Sequence, residues 1–552
     1  MPNSTISQRL EQVRRWMQEL GIRRFVVPTA DPHDSEYMPD HWLCREWLTG
    51  FTGSAGVAVV TATEALLYTD SRYWLQAAAQ LEGTPFRLVR EDRPPHEPDE
   101  LWYNPLCLPD PFDQWWTDRP ALPLSQAWRM PDDVAGQTAA DKLRRLTGFL
   151  RAEGREALLV SDLSEVAWLL NLRGDDIAYN PFLLAFLMVR TGGRHTLFIH
   201  PQQIPGPVAD YLGGLGVELA PYEDAPCFIR ADRPAAEGVQ PWAGPSPVAG
   251  WRAVKNPVEQ DGFRRAHLQD GVAMVRFLRW LDEADKSALT ELDIDRRLID
   301  LRAESPDFVS LSFPTIAAYG PHGAIVHYEA TPATASRLAP SGLLLLDSGA
   351  HYRTGTTDIT RTLSLGTLGE EERRVYTLVL KAHLQLQTCR FPEGTTGLQL
   401  DMAVRLPLWR EGLDFGHGTG HGVGHLLGVH EGPHQIRKQR RDCTLQPFRA
   451  GFTVTDEPGV YLEGRFGVRT ENVLLAVPTG RQSVLGDPML RFEPLTLCPY
   501  DLRPVVPSLL TPDEIQALND YHATVRRTLL PHLADEADRQ WLLKATEAMV
   551  AR

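Results

Sequence analysis

Two aspartates near the middle of the chain are spaced as a pair that could bind a cation. Asp347 ends the apolar run Leu344–Leu346, and Asp358 follows eleven residues later, beyond Gly349. Two antiparallel strands joined by a short turn can direct both carboxylates at one point. Carboxylates placed in this way repel each other unless a proton or a cation lies between them. The spacing therefore predicts a cation site on a β-hairpin.

Further candidate ligands lie downstream of this pair. His421 stands in a glycine-rich segment, and Glu457 and Glu471 each stand at the inner end of an apolar run, one on each arm of a second predicted hairpin. Taken singly, such a residue is more often a solvated turn residue than a ligand. Together, four carboxylates and one imidazole form a hard, oxygen-rich set that suits two divalent ions. The set favours Mn²⁺, with Co²⁺, Fe²⁺ or Zn²⁺ as alternatives, over a thiolate-type zinc site.

A second histidine pattern in this region is misleading. The segment 430–434 reads His-Glu-Gly-Pro-His and matches the H-E-x-x-H motif of helical zinc sites. Gly432 and Pro433 fall inside the turn that would have to be helical, and proline breaks a helix there. The glycines between His417, His421 and His425 likewise favour a loop or strand. We therefore reject a helical zinc site.

Length and composition limit the function classes. A chain of 552 residues predicts two to four domains. The net charge of −15 argues against a general nucleic-acid binder. The six cysteines (44, 107, 227, 389, 443 and 498) show no C-x-x-C pairing, which predicts reduced thiols in the cytoplasm. No apolar run reaches the length of a membrane span, and the chain opens on an amphipathic helix rather than a signal peptide, so we expect no membrane partner.

The order of elements predicts three domains. A helix, a glycine and a strand follow one another at residues 6–27, ending on Phe25–Val27, and again at 143–160, which suggests two related α/β domains at 1–135 and 136–250. The Pro- and Trp-rich stretch 93–133 is interpreted as a linker or irregular structure. An α+β catalytic domain at 251–552 follows, with its site on a curved antiparallel sheet. Its predicted helices are 258–282, 290–303 and 369–388, and its predicted strands are 343–347, 358–364, 453–457 and 467–475.

These motifs together resemble a known family. The sequence is similar to aminopeptidase P, the X-prolyl aminopeptidases of the pita-bread metallopeptidase superfamily, in the long three-domain form. The resemblance implies two tandem creatinase-like N-terminal α/β domains followed by a pita-bread α+β catalytic domain. Beside the ligand motifs, the segments that carry it are 35–37, 50–56, 69–73, 168–174 and 507–511, with Asn519, Tyr521 and His522.

The resemblance also implies a role for each site residue. Asp358 and Glu471 would bridge two metal ions, His421 and Glu457 would complete one ion, and Asp347 would bind the other. The implied substrate contacts are Arg72, His327, His421, His430 and Arg469. For Arg72 and Arg469 a plain ion pair is the alternative. Arg469 lies two residues before Glu471, so on a strand its side chain points to the same face and could brace the carboxylates.

The implied reaction is hydrolysis of the first peptide bond of peptides with proline at the second position. In this interpretation a hydroxide shared by two metal ions attacks the carbonyl of residue one. His327 and His430 help to stabilise the negative charge that develops on the carbonyl oxygen. Glu457 carries a proton from the water to the leaving nitrogen. The resemblance further implies a homodimer, and we expect a cytoplasmic enzyme that recycles proline-containing peptides.

Three other functions are compatible with the same ligand region. A prolidase shares the ligand set but cleaves X-Pro dipeptides, so dipeptide and tripeptide turnover would separate the two enzymes. The two N-terminal domains favour the aminopeptidase, since domains above a site can shape a slot for longer peptides. A non-catalytic binding module and a creatinase-like amidinohydrolase are disfavoured, because such relatives lack metal ligands that are all present here.

Overall fold

The computed structural model describes residues 4–106, 109–225 and 246–550. The chain packs as two compact units. One comprises the chain up to Pro131 together with Gln137–Val248, and the other comprises Asp132–Gly136 together with the chain from Ala249 onwards. Within the described residues, no helix has both the length and the apolar character needed to cross a bilayer. Cys44, Cys389, Cys443 and Cys498 are free thiols, whereas Cys107 and Cys227 lie outside the described residues.

The first unit contains helices, two larger sheets of five and four strands, and one two-stranded sheet. Its strands are β1 (Arg24–Pro28), β2 (Val57–Thr61), β3 (Ala65–Tyr68), β4 (Arg87–Val89), β5 (Glu100–Trp102), β6 (Trp128–Arg129), β7 (Ala157–Val160), β8 (Leu172–Arg173), β9 (Phe186–Arg190), β10 (His195–Phe198) and β11 (Val217–Ala220). In chain order the helices are α1 (Ile6–Leu20), α2 (Cys44–Thr49), α3 (Trp74–Gln80), α4 (Phe112–Trp115), α5 (Asp132–Ala135, in the second unit), α6 (Ala139–Ala152), α7 (Leu163–Leu170) and α8 (Gly206–Gly214).

The two larger sheets of this unit repeat one topology. In the first sheet, β2 pairs antiparallel with both β1 and β3, and β4 joins β3 in parallel. In the second sheet, β9 pairs antiparallel with both β7 and β10, and β11 joins β10 in parallel. A helix precedes the leading strand of each sheet: α1 is capped by Gly21, in the left-handed conformation with φ 68°, and α6 ends two residues before Gly154. This repetition confirms the predicted pair of related α/β domains.

The predicted linker at 93–133 is wrong in part. β5 adds a parallel edge strand to β1, with Phe25 opposite Leu101. Phe112 and Trp115 of α4 are buried in the hydrophobic core of the first sheet. Tyr103 and Phe112 meet edge to face with ring centroids 4.9 Å apart. The prolines of this stretch flank these elements, and its aromatic side chains bury apolar area that local sequence does not reveal.

The second unit carries long helices around antiparallel strands. Its helices after α5 are α9 (Pro247–Ala253, which begins in the first unit), α10 (Pro257–Glu283), α11 (Glu291–Ala303), α12 (Glu370–Gln387), α13 (Gly397–Trp409), α14 (Pro512–Leu529) and α15 (Glu536–Ala545). Its strands are β12 (Phe308–Leu311), β13 (Ile316–Tyr319), β14 (Leu343–Ser348), β15 (Ala350–Tyr352), β16 (Gly355–Thr356), β17 (Ile359–Ser364), β18 (Arg390–Pro392), β19 (Gly420–Gly422), β20 (Glu431–Ile436), β21 (Thr453–Asp456), β22 (Gly459–Leu462), β23 (Phe466–Arg469), β24 (Asn472–Gln482) and β25 (Pro488–Pro494).

The predicted elements of this unit are recovered with small changes. α10 begins where expected, because Pro257 occupies its first turn and Asn256 caps it together with Glu259. The single curved sheet is divided into the short antiparallel sheets β13-β14-β17, β12-β15-β16 and β18-β25-β24-β21 and the pairs β19-β20 and β22-β23. The predicted strand 467–475 is interrupted at residues 470 and 471, between β23 and β24. This interruption contains Glu471.

Candidate metal centre

Asp347 and Asp358 lie at the same end of an antiparallel strand pair. Asp347 is a buried residue of β14, directly opposite Thr360 of β17, and Asp358 immediately precedes β17. Directly opposite residues of antiparallel strands point to one face, and so do residues two apart on one strand. The connection between the strands is longer than a simple turn, because it contains the small β15–β16 hairpin. Both carboxylates are nevertheless directed to one side of the sheet.

Glu457 and Glu471 occupy facing interruptions in a second hairpin. The outer half pairs Asp456 with Asn472, and the inner half pairs Gly459 with Arg469, so both glutamates lie in the gap between the two halves. Without ladder bonds, their backbone amides bond elsewhere: Glu471 N–H donates to the Thr360 carbonyl at 3.0 Å, and Glu457 N–H donates to the Thr419 carbonyl at 2.8 Å. The first of these bonds ties the second hairpin to β17.

His421 completes the set from β19. Its Nε2 lies 3.5 Å from Asp358 Oδ2 and 3.4 Å from Glu457 Oε1. Its Nδ1 lies 2.9 Å from the Gly422 carbonyl, which fixes the ring with Nε2 directed at the carboxylates. One ligand atom each of Asp358, His421 and Glu471 lies within 4.8 Å of the others. Glu457 lies beside His421, and Asp347 is close enough to Asp358 and Glu471 to repel both carboxylates, so all five sequence-predicted ligands belong to one cluster.

The buried carboxylates of this cluster repel one another, and a bound cation would relieve that repulsion. Burial raises the pKa of Asp358 and of Glu471 well above the ordinary range, and nearby carboxylates raise both further. Burial also raises the pKa of Glu457 to about 7, although Arg469 opposes the shift. Asp347 Oδ1 is buried without a hydrogen-bond partner among the described residues. Such a donor set fits hard divalent cations, which would satisfy these oxygens and offset their repulsion.

Arg469 is a buried cation on the same face. Its guanidinium donates to Asp347 Oδ2 at 2.7 Å, to the Tyr461 hydroxyl at 2.7 Å and to Thr360 Oγ1 at 3.2 Å. The Tyr461 hydroxyl also lies 2.7 Å from His417 Nε2. Arg469 therefore braces a carboxylate, as its spacing from Glu471 suggested. Tyr461 and His417 were not predicted, because a tyrosine on a strand and one histidine among several carry no separate signal.

The predicted substrate histidines lie at two different points of the second unit. The His430 ring stands nearly perpendicular to the His421 ring, with centroids 4.3 Å apart, and the residue is exposed. β20 begins at the next residue, so the segment 430–434 is not helical and the rejection of a helical zinc site is confirmed. His327 is half-buried in the turn that follows the 3₁₀ helix Gly320–Ala324.

Arg72 lies in the first unit. Its Nε and Nη2 donate to the two carboxylate oxygens of Asp70 at 2.8 and 2.7 Å. About a quarter of each side chain is exposed. The structure therefore shows Arg72 in the bidentate ion pair that was the alternative interpretation, and a substrate contact there is a separate hypothesis.

Comparisons with known proteins place this geometry in a family. Residues 261–478 match metallopeptidase family M24, residues 488–549 match the C-terminal region of peptidase M24, and residues 9–103 and 118–238 each match the creatinase/prolidase N-terminal domain. The predicted order of two creatinase-like domains and a pita-bread domain is thereby confirmed.

Individual relatives cover nearly the whole chain. Aminopeptidase P1 of Lotus japonicus is 35% identical over 95% of this chain and 96% of its own length. The probable Xaa-Pro aminopeptidase P of Ajellomyces capsulatus is 36% identical over 98% of this chain and 99% of its own. The crystal structure of X-prolyl aminopeptidase from Caenorhabditis elegans, described as a cytosolic enzyme with a di-nuclear active site, matches 99% of this chain and 100% of its own, with a TM-score of 0.90 at 30% identity. The chain therefore belongs to metallopeptidase family M24 and, within it, to the aminopeptidase P family.

Proposed function

We propose that the protein is a dinuclear metal-dependent X-Pro aminopeptidase, which hydrolyses the bond before a proline in second position and releases the first amino acid. The observation that carries the proposal is the buried convergence of Asp358, His421 and Glu471 within 4.8 Å, beside two further carboxylates. The full-length similarity to a structure described as having a di-nuclear active site supports two ions rather than one. Prolidase activity on X-Pro dipeptides is the alternative.

The five clustered side chains would hold the ions. In our proposal Asp358 and Glu471, together with His421, Glu457 and Asp347, would hold two Mn²⁺ ions. Bound there, divalent ions would lower the pKa of a water molecule and polarise the scissile carbonyl. Mn²⁺ is favoured by four carboxylates to one imidazole, and Co²⁺, Fe²⁺ and Zn²⁺ are the alternatives to test.

The remaining chemistry belongs to the side chains. Glu457 would carry a proton to the leaving nitrogen, which must be protonated as the bond breaks. Its side chain keeps 17% of its surface exposed, against 5% for Asp358, so it is open to a reacting group. His430, exposed beside His421, and His327 would contact substrate and assist the developing oxyanion. Arg469 would hold Asp347, and Arg72 would contact substrate from the first unit.

Three broader features belong to the same proposal. We place domain boundaries at 135/136 and 250/251, and we propose a cytoplasmic enzyme.

We also propose a homodimer. Met402, Leu406 and Trp409 form an exposed apolar stripe at i, i+4 and i+7 on α13, with 53%, 39% and 40% of their surfaces exposed. A second copy of the chain would bury this stripe, since soluble proteins seldom leave such a contiguous apolar face in water.

The test compares two peptides with and without metal. Metal-stripped protein is incubated with Arg-Pro-Pro or Arg-Pro after addition of Mn²⁺, Co²⁺, Fe²⁺ or Zn²⁺, and free arginine is measured. We expect Mn²⁺-dependent release from the tripeptide and little from the dipeptide. A Glu471→Gln variant should bind less metal and release little arginine. Release from the dipeptide alone would assign prolidase activity, and no release with any ion would refute the catalytic proposal.

A further inference from the structure

Glu291 is a fully buried carboxylate outside the proposed metal set, at the start of α11. Its Oε1 accepts hydrogen bonds from the Tyr319 amide at 2.7 Å and from His322 Nδ1 at 2.9 Å. Its Oε2 accepts from the Tyr328 hydroxyl at 2.9 Å and from the Ser336 amide at 2.7 Å. Hydrogen bonds to a charged carboxylate are stronger than those between neutral groups. The N-terminus of α11 further stabilises the negative charge of Glu291. A carboxylate with four donor groups organises the chain around it.

The four donors all come from the segment 319–336, which contains His327. Tyr319 and His322 precede His327, whereas Tyr328 and Ser336 follow it. The His322 and Tyr328 rings stack with centroids 4.3 Å apart and an interplanar angle of 25°, which closes the segment over the carboxylate. Glu291 therefore fastens the chain on both sides of His327.

The segment 319–336 also packs against β23, the strand that carries Arg469. A Cβ built on Gly467 of β23 would lie 1.7 Å from the Gly323 carbonyl oxygen, so no side chain fits between the two backbones. Gly467 lies two residues before Arg469, which donates to Asp347. The backbone contact fixes one end of the segment against β23, and Glu291 fixes its path from there through His327.

We propose that Glu291 is a positioning residue, which acts on the reaction by holding the His327 segment against the strand that carries Arg469. This role rests on the proposed function, in which His327 contacts substrate. A glutamine at this position would keep the shape but place an NH₂ group where two donors now point. Unsatisfied buried donors would then loosen the segment.

The first test is a double-mutant cycle with Arg-Pro-Pro as substrate. We expect Glu291→Gln to lower kcat/KM about 10–100-fold, the range for residues that orient active-site groups, with metal content unchanged. In a His327→Ala background the same substitution should cost less than about twofold, because coupled substitutions are not additive. Equal losses in both backgrounds would overturn the proposal. Tyr328→Phe removes one donor and gives a milder version of the cycle if Glu291→Gln folds poorly.

The second test does not depend on activity. Hydrogen exchange followed by mass spectrometry should show faster exchange across residues 319–336 in Glu291→Gln than in the parent protein. Glu514→Gln is the matched control, since Glu514 is also buried at a helix start and accepts from Thr511 N–H and Lys381 Nζ, each at 2.8 Å. It should leave exchange in 319–336 and kcat/KM unchanged.

The two tests separate this inference from the function on which it rests. If the parent protein cleaves no X-Pro peptide but exchange in 319–336 rises only in Glu291→Gln, the proposed function fails and the organising role of Glu291 stands. If the parent protein is active but neither exchange nor the cycle responds, the function stands and the inference is refuted.

Discussion

The Arg469 guanidinium donates to Asp347 Oδ2 at 2.7 Å, across 122 residues of sequence, and both side chains are buried. This bond occupies one carboxylate oxygen, while Oδ1 lies without a hydrogen-bond partner among the described residues. Arg469 thereby orients Asp347 so that its second oxygen is available to a cation. Arg469 bridges Asp347, Tyr461 and Thr360 with its three guanidinium nitrogens, and a compact ammonium group does not offer this planar arrangement of donors.

Replacement of Arg469 by lysine should therefore impair the enzyme although the charge is kept. A lysine ammonium cannot span Asp347, Tyr461 and Thr360 together, so we expect kcat/KM for Arg-Pro-Pro to fall about 10–100-fold. Steady-state kinetics and circular dichroism check this. Arg503→Lys is the control, because Arg503 makes a two-pronged pair with Asp501 on a half-exposed surface. Equal activity in both variants would show that the planar guanidinium of Arg469 is not required.

Glu457→Gln should separate proton transfer from metal binding. The amide can still coordinate through its oxygen but cannot carry a proton, so we expect kcat to fall about 100–10,000-fold at full metal occupancy. Metal content by plasma mass spectrometry and turnover of Arg-Pro-Pro are measured on the same sample. Glu463→Gln, on the exposed turn after β22, should change neither quantity. Retained turnover in the metal-loaded Glu457→Gln protein would remove Glu457 from the proton path.

Site residues and helices could be predicted from the sequence where several local signals pointed to the same residue or element. Asp347 at the end of an apolar run and His421 among glycines were recognisable because each residue is unusual in its setting. The helix α10 was predicted because its apolar spacing, Pro257 and its cap agree. Agreement between several local signals is what made these elements and the five clustered residues predictable.

Long-range contacts were not predictable in the same way. β5 exists because Leu101 pairs in parallel with Phe25, 76 residues earlier, and no local pattern encodes that register. Glu291 is one of many acidic residues at a helix start, and only burial by the 319–336 segment distinguishes it. The interruption between β23 and β24 arises because Glu471 bonds to Thr360 rather than to its own hairpin. The proposed domain boundaries stay predictions.

The exposed stripe on α13 should control assembly. Met402→Glu combined with Leu406→Glu places two charges in the apolar stripe. Burial of these unpaired charges in a dimer interface would be strongly unfavourable. We expect light scattering to report the mass of one chain for this variant and of two chains for the parent. Leu485→Glu is the control, since Leu485 is exposed on the β24–β25 turn, away from any helical stripe. A dimeric double variant would place the interface elsewhere.

His267 should contribute a loss of stability as the pH drops from about 6.5 towards 4, whereas the buried carboxylates Asp358, Glu457 and Glu471, whose pKa values are raised, act in the opposite direction in the metal-free protein. This histidine is buried on α10, its Nδ1 donates to the Phe263 carbonyl at 2.9 Å, and burial lowers its pKa to about 4 although Asp270 opposes the shift. Between the two pKa values the unfolded chain binds a proton that the folded protein does not, so the free energy of unfolding rises with pH by up to about 1.4 kcal/mol per unit. Thermal unfolding of the metal-free protein measures this slope. His267→Gln should reduce it, whereas the exposed His532→Gln should not, and identical slopes in all three proteins would refute the assignment.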